Sequence, residues 1–123
     1  MSKRVVVIDD NHWQGDSFSR TLQKAGYRVA IARDGHRAID VIDDSRPDVI
    51  LLDMILGDTT APALLHELQS HHDLATIPVI VVTNIAERVP YEYLVDYGVV
   101  AVLDKTKLDP EDIVIEVRKA SNG

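Results

Sequence analysis

Five residues that can do chemistry stand at the ends of short apolar runs. Asp9 and Asp10 follow Val5-Val-Val-Ile8, Asp53 follows Val49-Ile-Leu-Leu52, Thr83 follows Val79-Ile-Val-Val82, and Lys105 comes two residues after the run from Val99 to Leu103. Three carboxylates brought into one space repel one another, and a hard divalent cation relieves that repulsion. Oxygen-only ligation suits Mg2+, which keeps several waters and bridges carboxylates to phosphate oxygens. A lysine ammonium in the same cleft is a compact positive partner for an anion, and a threonine hydroxyl can donate a hydrogen bond to a phosphoryl oxygen. Such a set describes a site for a phosphoryl group. A carboxylate beside Mg2+ can attack phosphorus to give an aspartyl phosphate, and Asp53, alone on the central run, is the candidate nucleophile.

Taken singly, each residue has a plainer use. An aspartate at a strand end forms turns or caps helices, a threonine there satisfies its hydroxyl within a βα turn, and a lone lysine is a solvated surface charge. Only joint placement promotes them, so the elements that carry them decide the matter. The runs Val5–Ile8, Arg28–Ala32, Val49–Leu52, Val79–Val82 and Val99–Leu103 are short, rich in Val and Ile, and mostly apolar without alternation. That pattern predicts strands buried on both faces, as in a parallel sheet covered by helices. Helical spacing fills the intervals, through Phe18, Leu22 and Ala25, then Ala38, Ile39 and Ile42, then Leu64, Leu65 and Leu68, then Tyr93, Leu94 and Tyr97, then Ile113, Val114 and Val117. The last helix has the clearest start, with Asp109 as N-cap, Pro110 at the first helical position and acidic Glu111 and Asp112 after it. Five strand–helix alternations give an α/β fold, a doubly wound sandwich around a five-stranded parallel sheet. In such sheets ligands sit outside the carboxyl ends of the strands, where the five residues stand.

Bulk properties narrow the function. A chain of 123 residues is expected to be one domain over residues 1–123. With 46% hydrophobic and 27% charged residues it falls outside the range of disordered chains. The net charge of -7 and the scattered basic residues speak against direct binding of nucleic acid and for a protein partner. The absence of cysteine rules out a disulfide framework and thiolate metal sites. The run Val5–Ile8 is too short for a signal peptide and no stretch has the length of a membrane span, so a soluble cytoplasmic protein is expected.

Through Ile8-Asp9-Asp10, Leu51-Leu52-Asp53, the segment Pro78 to Thr83, and Leu103-Asp104-Lys105, essentially the whole chain resembles the receiver domains of two-component response regulators. The resemblance implies a flavodoxin-like (βα)5 fold and phosphorylation of Asp53 by a histidine kinase or phosphotransfer protein. It implies Mg2+ on Asp9, Asp10, Asp53 and the backbone carbonyl of Ile55, a reporting role for Thr83, and contact of Lys105 with the phosphoryl group. It also implies an unidentified output protein and a phosphoacceptor that is not an enzyme beyond self-phosphorylation from small donors and self-dephosphorylation.

The chain departs from the family pattern in its relay. The aromatic residue usual three positions before the lysine is Val102, so a ring cannot swing in response to Thr83; Tyr91, Tyr93 and Tyr97 on the preceding helix are the alternative carriers of an output change. The proline usual after the lysine is Thr106, for which a trans peptide is expected, since cis costs about 3 kcal/mol there. Ile55 and Ile85 flank the expected phosphoryl position without a polar group to orient water, which predicts slow self-dephosphorylation. Two other readings stand beside the phosphoacceptor: a receiver-like protein-interaction module that works without phosphorylation, and a phosphohydrolase of the haloacid dehalogenase type. The last normally has an aspartate two residues after its nucleophile, where this chain has Ile55.

Overall fold

Alternate residues of each central strand project to opposite faces of one sheet, and both faces are covered. The structure, a computed structural model, describes residues 2–54, 56, 60–84 and 91–122, with the side chain of Tyr93 outside that description. Its elements in chain order are β1 (Arg4–Ile8), α1 (His12–Lys24), β2 (Arg28–Ala32), α2 (Gly35–Ser45), β3 (Val49–Asp53), α3 (Ala61–Gln69), β4 (Val79–Thr83), α4 (Tyr91–Leu94), β5 (Val99–Asp104) and α5 (Pro110–Asn122). The five strands are parallel in the order β2-β1-β3-β4-β5, which is the doubly wound sheet expected from the sequence.

The continuous apolarity of β1, β3 and β4 has a direct explanation in this order. All three lie inside the sheet, so neither of their faces meets water. Val6, Ile8, Ile50, Leu52, Val79 and Val81 pack with Ala38 and Ile42 of α2 and with Leu64, Leu65 and Leu68 of α3. Val5, Val7, Val49, Leu51, Ile80 and Val82 pack on the other face with Phe18 and Leu22 of α1 and Ile113 and Val117 of α5. Burial of each such side chain contributes about 1.5–3 kcal/mol before conformational entropy is counted, so the sheet centre is the most firmly held part of the fold.

The helices are set by local signals. The side chain of Asn11 caps α1 by accepting from the Gln14 N–H, and Gly26, at φ 99°, lets the chain reverse into β2. At α5 a reciprocal cap bond is present: Asp112 accepts from the Asp109 N–H at 3.0 Å, with Pro110 first in the helix as expected. The segment around Tyr93 forms a single α turn followed by a 3₁₀ turn over Val95–Tyr97, shorter than its apolar spacing predicts. No helix among the described residues is long and apolar enough to cross a membrane.

Gly15 is buried at the fourth residue of α1, inside the helix, where glycine costs stability. A Cβ built there would stand 3.4 Å from Arg33 Nη1 and 3.7 Å from Asp9 Cβ, ordinary contact distances. Gly15→Ala is therefore expected to raise stability by about 0.5–1 kcal/mol, read as an upward shift of the thermal midpoint. A downward shift would mean that the neighbours cannot accept even a methyl group.

Candidate functional site

The crevice at the carboxyl ends of β1, β3, β4 and β5 gathers the residues expected from the sequence. Asp9 follows β1 immediately and is 1% exposed. Its N–H continues the sheet ladder by donating to the Ala32 carbonyl at 3.1 Å, and its Oδ1 accepts from the Asn11 N–H at 2.9 Å. Asp10 is exposed at the rim, and Asp53 ends β3 half-buried. One carboxylate oxygen from each of Asp9, Asp10 and Asp53 lies within 4.8 Å of the others. Lys105 follows β5 with its side chain 8% exposed; its Nζ is 3.1 Å from Asp53 Oδ1 and 3.7 Å from Asp9 Oδ2. Thr83, buried, ends β4 opposite Asp104 of β5. Asp10, Asp53, Thr83 and Lys105 line one cleft of about 360 Å3 together with Asn11, Gln14 and Asn84. Ile55 and Ile85 lie outside the described residues.

Burial pushes the Asp9 carboxyl above the usual carboxylate range, with Asp53 and Asp10 adding repulsion, against the Asn11 N–H and the Lys105 ammonium that pull it down. Asp9 Oδ2 is buried and has no hydrogen-bond partner. A buried carboxylate oxygen left without a donor costs stability unless a cation faces it. Asp9 Oδ2 faces the Lys105 ammonium at 3.7 Å without a hydrogen bond, and the three converging carboxylates, with no nitrogen or sulfur ligand among them, fit a small, hard divalent ion such as Mg2+. Lys105 by itself cannot balance three carboxylates, so the cluster retains an excess of negative charge that attracts such an ion.

Sequence reasoning did not single out Asn11 and Gln14. Asn11 reads as a helix cap, and Gln14 shares its face of α1 only because residues three apart lie one above the other. That spacing was the available signal. The peptide between Lys105 and Thr106 is trans, as expected. Thr106 uses the N–H that a proline would lack: the N–H and hydroxyl both donate to Asp104 Oδ1, at 2.8 and 2.6 Å, and hold that carboxyl below its usual range. Asp104 thus closes the 3₁₀ turn that carries Lys105.

Val102 is half-buried, paired in register with Val81 and packed against the core face shared by α2 and α3. The ring that reaches β5 comes instead from α4, where the Tyr91 hydroxyl donates to the Val100 carbonyl at 3.1 Å. Tyr97 packs on the same core and meets His66 edge to face, with ring centroids 6.2 Å apart.

Comparison with known proteins agrees with this fold. The family model described as "Response regulator receiver domain" matches residues 5–118. The response regulator MprA of Mycobacterium bovis is 35% identical over 92 residues, which are 72% of this chain and 39% of that protein, so the chain spans well under half the length of this relative. Among solved structures, a CheY-like receiver domain protein from Methanospirillum hungatei superposes with a TM-score of 0.88 at 23% identity, covering 99% of this chain and 95% of that one. The receiver domain of a sensor histidine kinase from Pseudomonas aeruginosa, solved with a magnesium ion coordinated in its active site cleft, superposes with a TM-score of 0.88 at 20% identity over all of both chains.

Proposed function

Since the chain belongs to the response regulator receiver domain family, whose members serve two-component signalling, we propose that it is a phosphoacceptor switch modified on Asp53 with the help of Mg2+. The observation that carries this reading is the approach of Lys105 Nζ to 3.1 Å from Asp53 Oδ1, beside the buried Oδ2 of Asp9, which has no hydrogen-bond partner. In this reading Asp53 attacks the phosphorus of a phosphohistidine on a histidine kinase or phosphotransfer protein. An Asp53 oxygen–phosphorus bond forms as the nitrogen–phosphorus bond of the donor breaks, and the imidazole nitrogen keeps the electron pair. Asp9, Asp10 and Asp53 would hold Mg2+, with the Ile55 carbonyl as the further ligand implied by the family. Mg2+, when bound, supplies positive charge that offsets the repulsion between the carboxylate and the incoming phosphoryl oxygens.

Lys105 holds a fixed ammonium where negative charge gathers on the transferring group. Thr83 donates its hydroxyl to a phosphoryl oxygen. Asp9, the most buried of the carboxylates, fixes the floor of the site, while exposed Asp10 leaves its rim open to the donor. The domain is taken as a single unit over 1–123 that works in the cytoplasm and passes its state to an output protein. It turns over no external substrate beyond small phosphodonors and its own phosphoryl group.

The test is incubation with acetyl phosphate and Mg2+ followed by intact-mass measurement. One phosphoryl group is expected on the wild-type chain, none after Mg2+ is chelated, and none on Asp53→Asn. Incorporation that persists in Asp53→Asn would place the acceptor elsewhere. Val102 favours a second reading, an interaction module that signals without phosphorylation, because the strand position that usually carries the relaying ring has none. No incorporation from any donor would favour that module.

A further inference from the structure

Two buried side-chain polar atoms among the described residues lack a hydrogen-bond partner: Asp9 Oδ2 and Arg33 Nη1. They belong to neighbouring side chains at one notch in α1. The point where a Cβ of Gly15 would stand is 3.4 Å from Arg33 Nη1, 3.7 Å from Asp9 Cβ and 3.9 Å from the Asp9 carbonyl oxygen. Arg33 directly follows β2, whose last residue, Ala32, accepts the Asp9 N–H. The guanidinium therefore has two unlike ends. Nη2 donates to Asp16 Oδ1 at 2.8 Å near the surface, while Nη1 is pressed inward beside Gly15 on the Asp9 side of the helix.

Stability alone does not account for this arrangement. A guanidinium nitrogen buried without an acceptor is unfavourable, and a hydrocarbon side chain would fill the same space without that cost. A glycine within a helix is unfavourable as well. Both costs fall beside the Cβ and backbone carbonyl of one residue, the Asp9 of the proposed metal site, and local rules broken together in this way point to function.

We propose that Arg33 is a positioning residue for the acidic cluster: fastened by Asp16 and lying beside Gly15, it packs on the Asp9 side of α1 and holds that carboxylate toward Asp10, Asp53 and Lys105. The inference rests on the Mg2+ reading of the site. Groups behind a metal ligand that fix its orientation commonly raise metal affinity by about 10- to 100-fold. An effect of the Arg33 charge alone would have the opposite sign, because removing a cation from beside the cluster favours Mg2+.

The experiment is calorimetric titration of Mg2+ into the wild-type chain and three variants, with thermal midpoints measured without metal. Arg33→Met keeps an unbranched apolar stem and removes the guanidinium; it is expected to weaken Mg2+ binding by about tenfold or more while the midpoint stays level or rises. Asp16→Asn, which keeps the shape but loosens the fastening, is expected to weaken binding in the same direction. The double variant is expected to be no weaker than Arg33→Met, because the two residues act through one contact. Unchanged or tighter Mg2+ binding in Arg33→Met, or in Asp16→Asn if Arg33→Met does not fold, would overturn the positioning role while leaving the metal site standing. Absence of Mg2+ binding by the wild-type chain would overturn the metal reading and this inference together.

Discussion

Replacing Lys105 by methionine is expected to lower the stability of the metal-free chain by about 2–3 kcal/mol and to slow phosphoryl incorporation at Asp53 by at least about a hundredfold. The ammonium is almost wholly buried and lies between two carboxylates, 3.1 Å from Asp53 Oδ1 and 3.7 Å from Asp9 Oδ2. Methionine fills a similar volume but leaves those carboxylates facing one another with no internal cation. Removing one partner of a buried pair costs about 3–5 kcal/mol, and the value here is set lower because Asp10 at the rim keeps the cluster in touch with water. The rate falls for a related reason. A fixed positive charge aimed at the transferring group stabilises the transition state more than the ground state, and loss of one such donor costs about 10²- to 10³-fold. Denaturant unfolding without Mg2+ and the rate of mass increase with acetyl phosphate check the two halves separately. A stability loss near zero together with an unchanged rate would mean that Lys105 is solvated and spectator to the chemistry.

Asp9→Asn is expected to act in the opposite direction on stability. It removes one of three clustered charges from a position 1% exposed, so the metal-free chain should gain about 1–2 kcal/mol. Mg2+ affinity should fall by about a hundredfold or more, since a direct ligand matters at least as much as the groups behind it. The two effects predict crossing melting curves. Without Mg2+ the variant unfolds at the higher temperature; at a concentration one hundred times the wild-type Kd the wild-type chain gains about 2.7 kcal/mol and the variant gains little. The pH dependence has a definite sign as well. Burial raises the folded-state pKa of Asp9, so its protonated form favours the fold below the unfolded carboxylate range, and that contribution disappears as pH rises through the raised value. The metal-free wild-type chain should lose stability over that window, and Asp9→Asn should lose less. A variant less stable than wild type at neutral pH without Mg2+ would show that Asp9 serves the fold more than the site.

Much of the fold is legible in the sequence because its signals are local. Five apolar runs without alternation require a sheet covered on both faces, and the helical spacing between them leaves few topologies open. The weakest element is α4, where Tyr93, Leu94 and Tyr97 carry helical spacing but the chain makes one α turn and one 3₁₀ turn. Gly98, at φ 84°, ends that segment and turns the backbone into β5. Asp109 reads from sequence as the cap of α5 and directly precedes its first residue, Pro110, while the Asp112 carboxylate reaches back to the Asp109 N–H. Composition around a helix start identifies the region of the cap but leaves open which carboxylate rotates into place.

What the sequence by itself determined is the fold class, the alternation of strands and helices in a parallel sheet, and the residue types of the site at the carboxyl ends of the strands. These follow from period and spacing, which a linear chain carries in full. Only the tertiary structure decided how the charges divide. Asp9 is buried with one oxygen outside any hydrogen bond while its neighbour Asp10 is exposed, Lys105 lies nearer Asp53 than Asp9, and Arg33, part of no motif, brings Nη1 to the same notch of α1 as the Cβ of Asp9. Burial and contact depend on how β1, β2 and α1 pack against one another, and no periodicity in the chain records which side of that packing a given carboxylate or guanidinium will face.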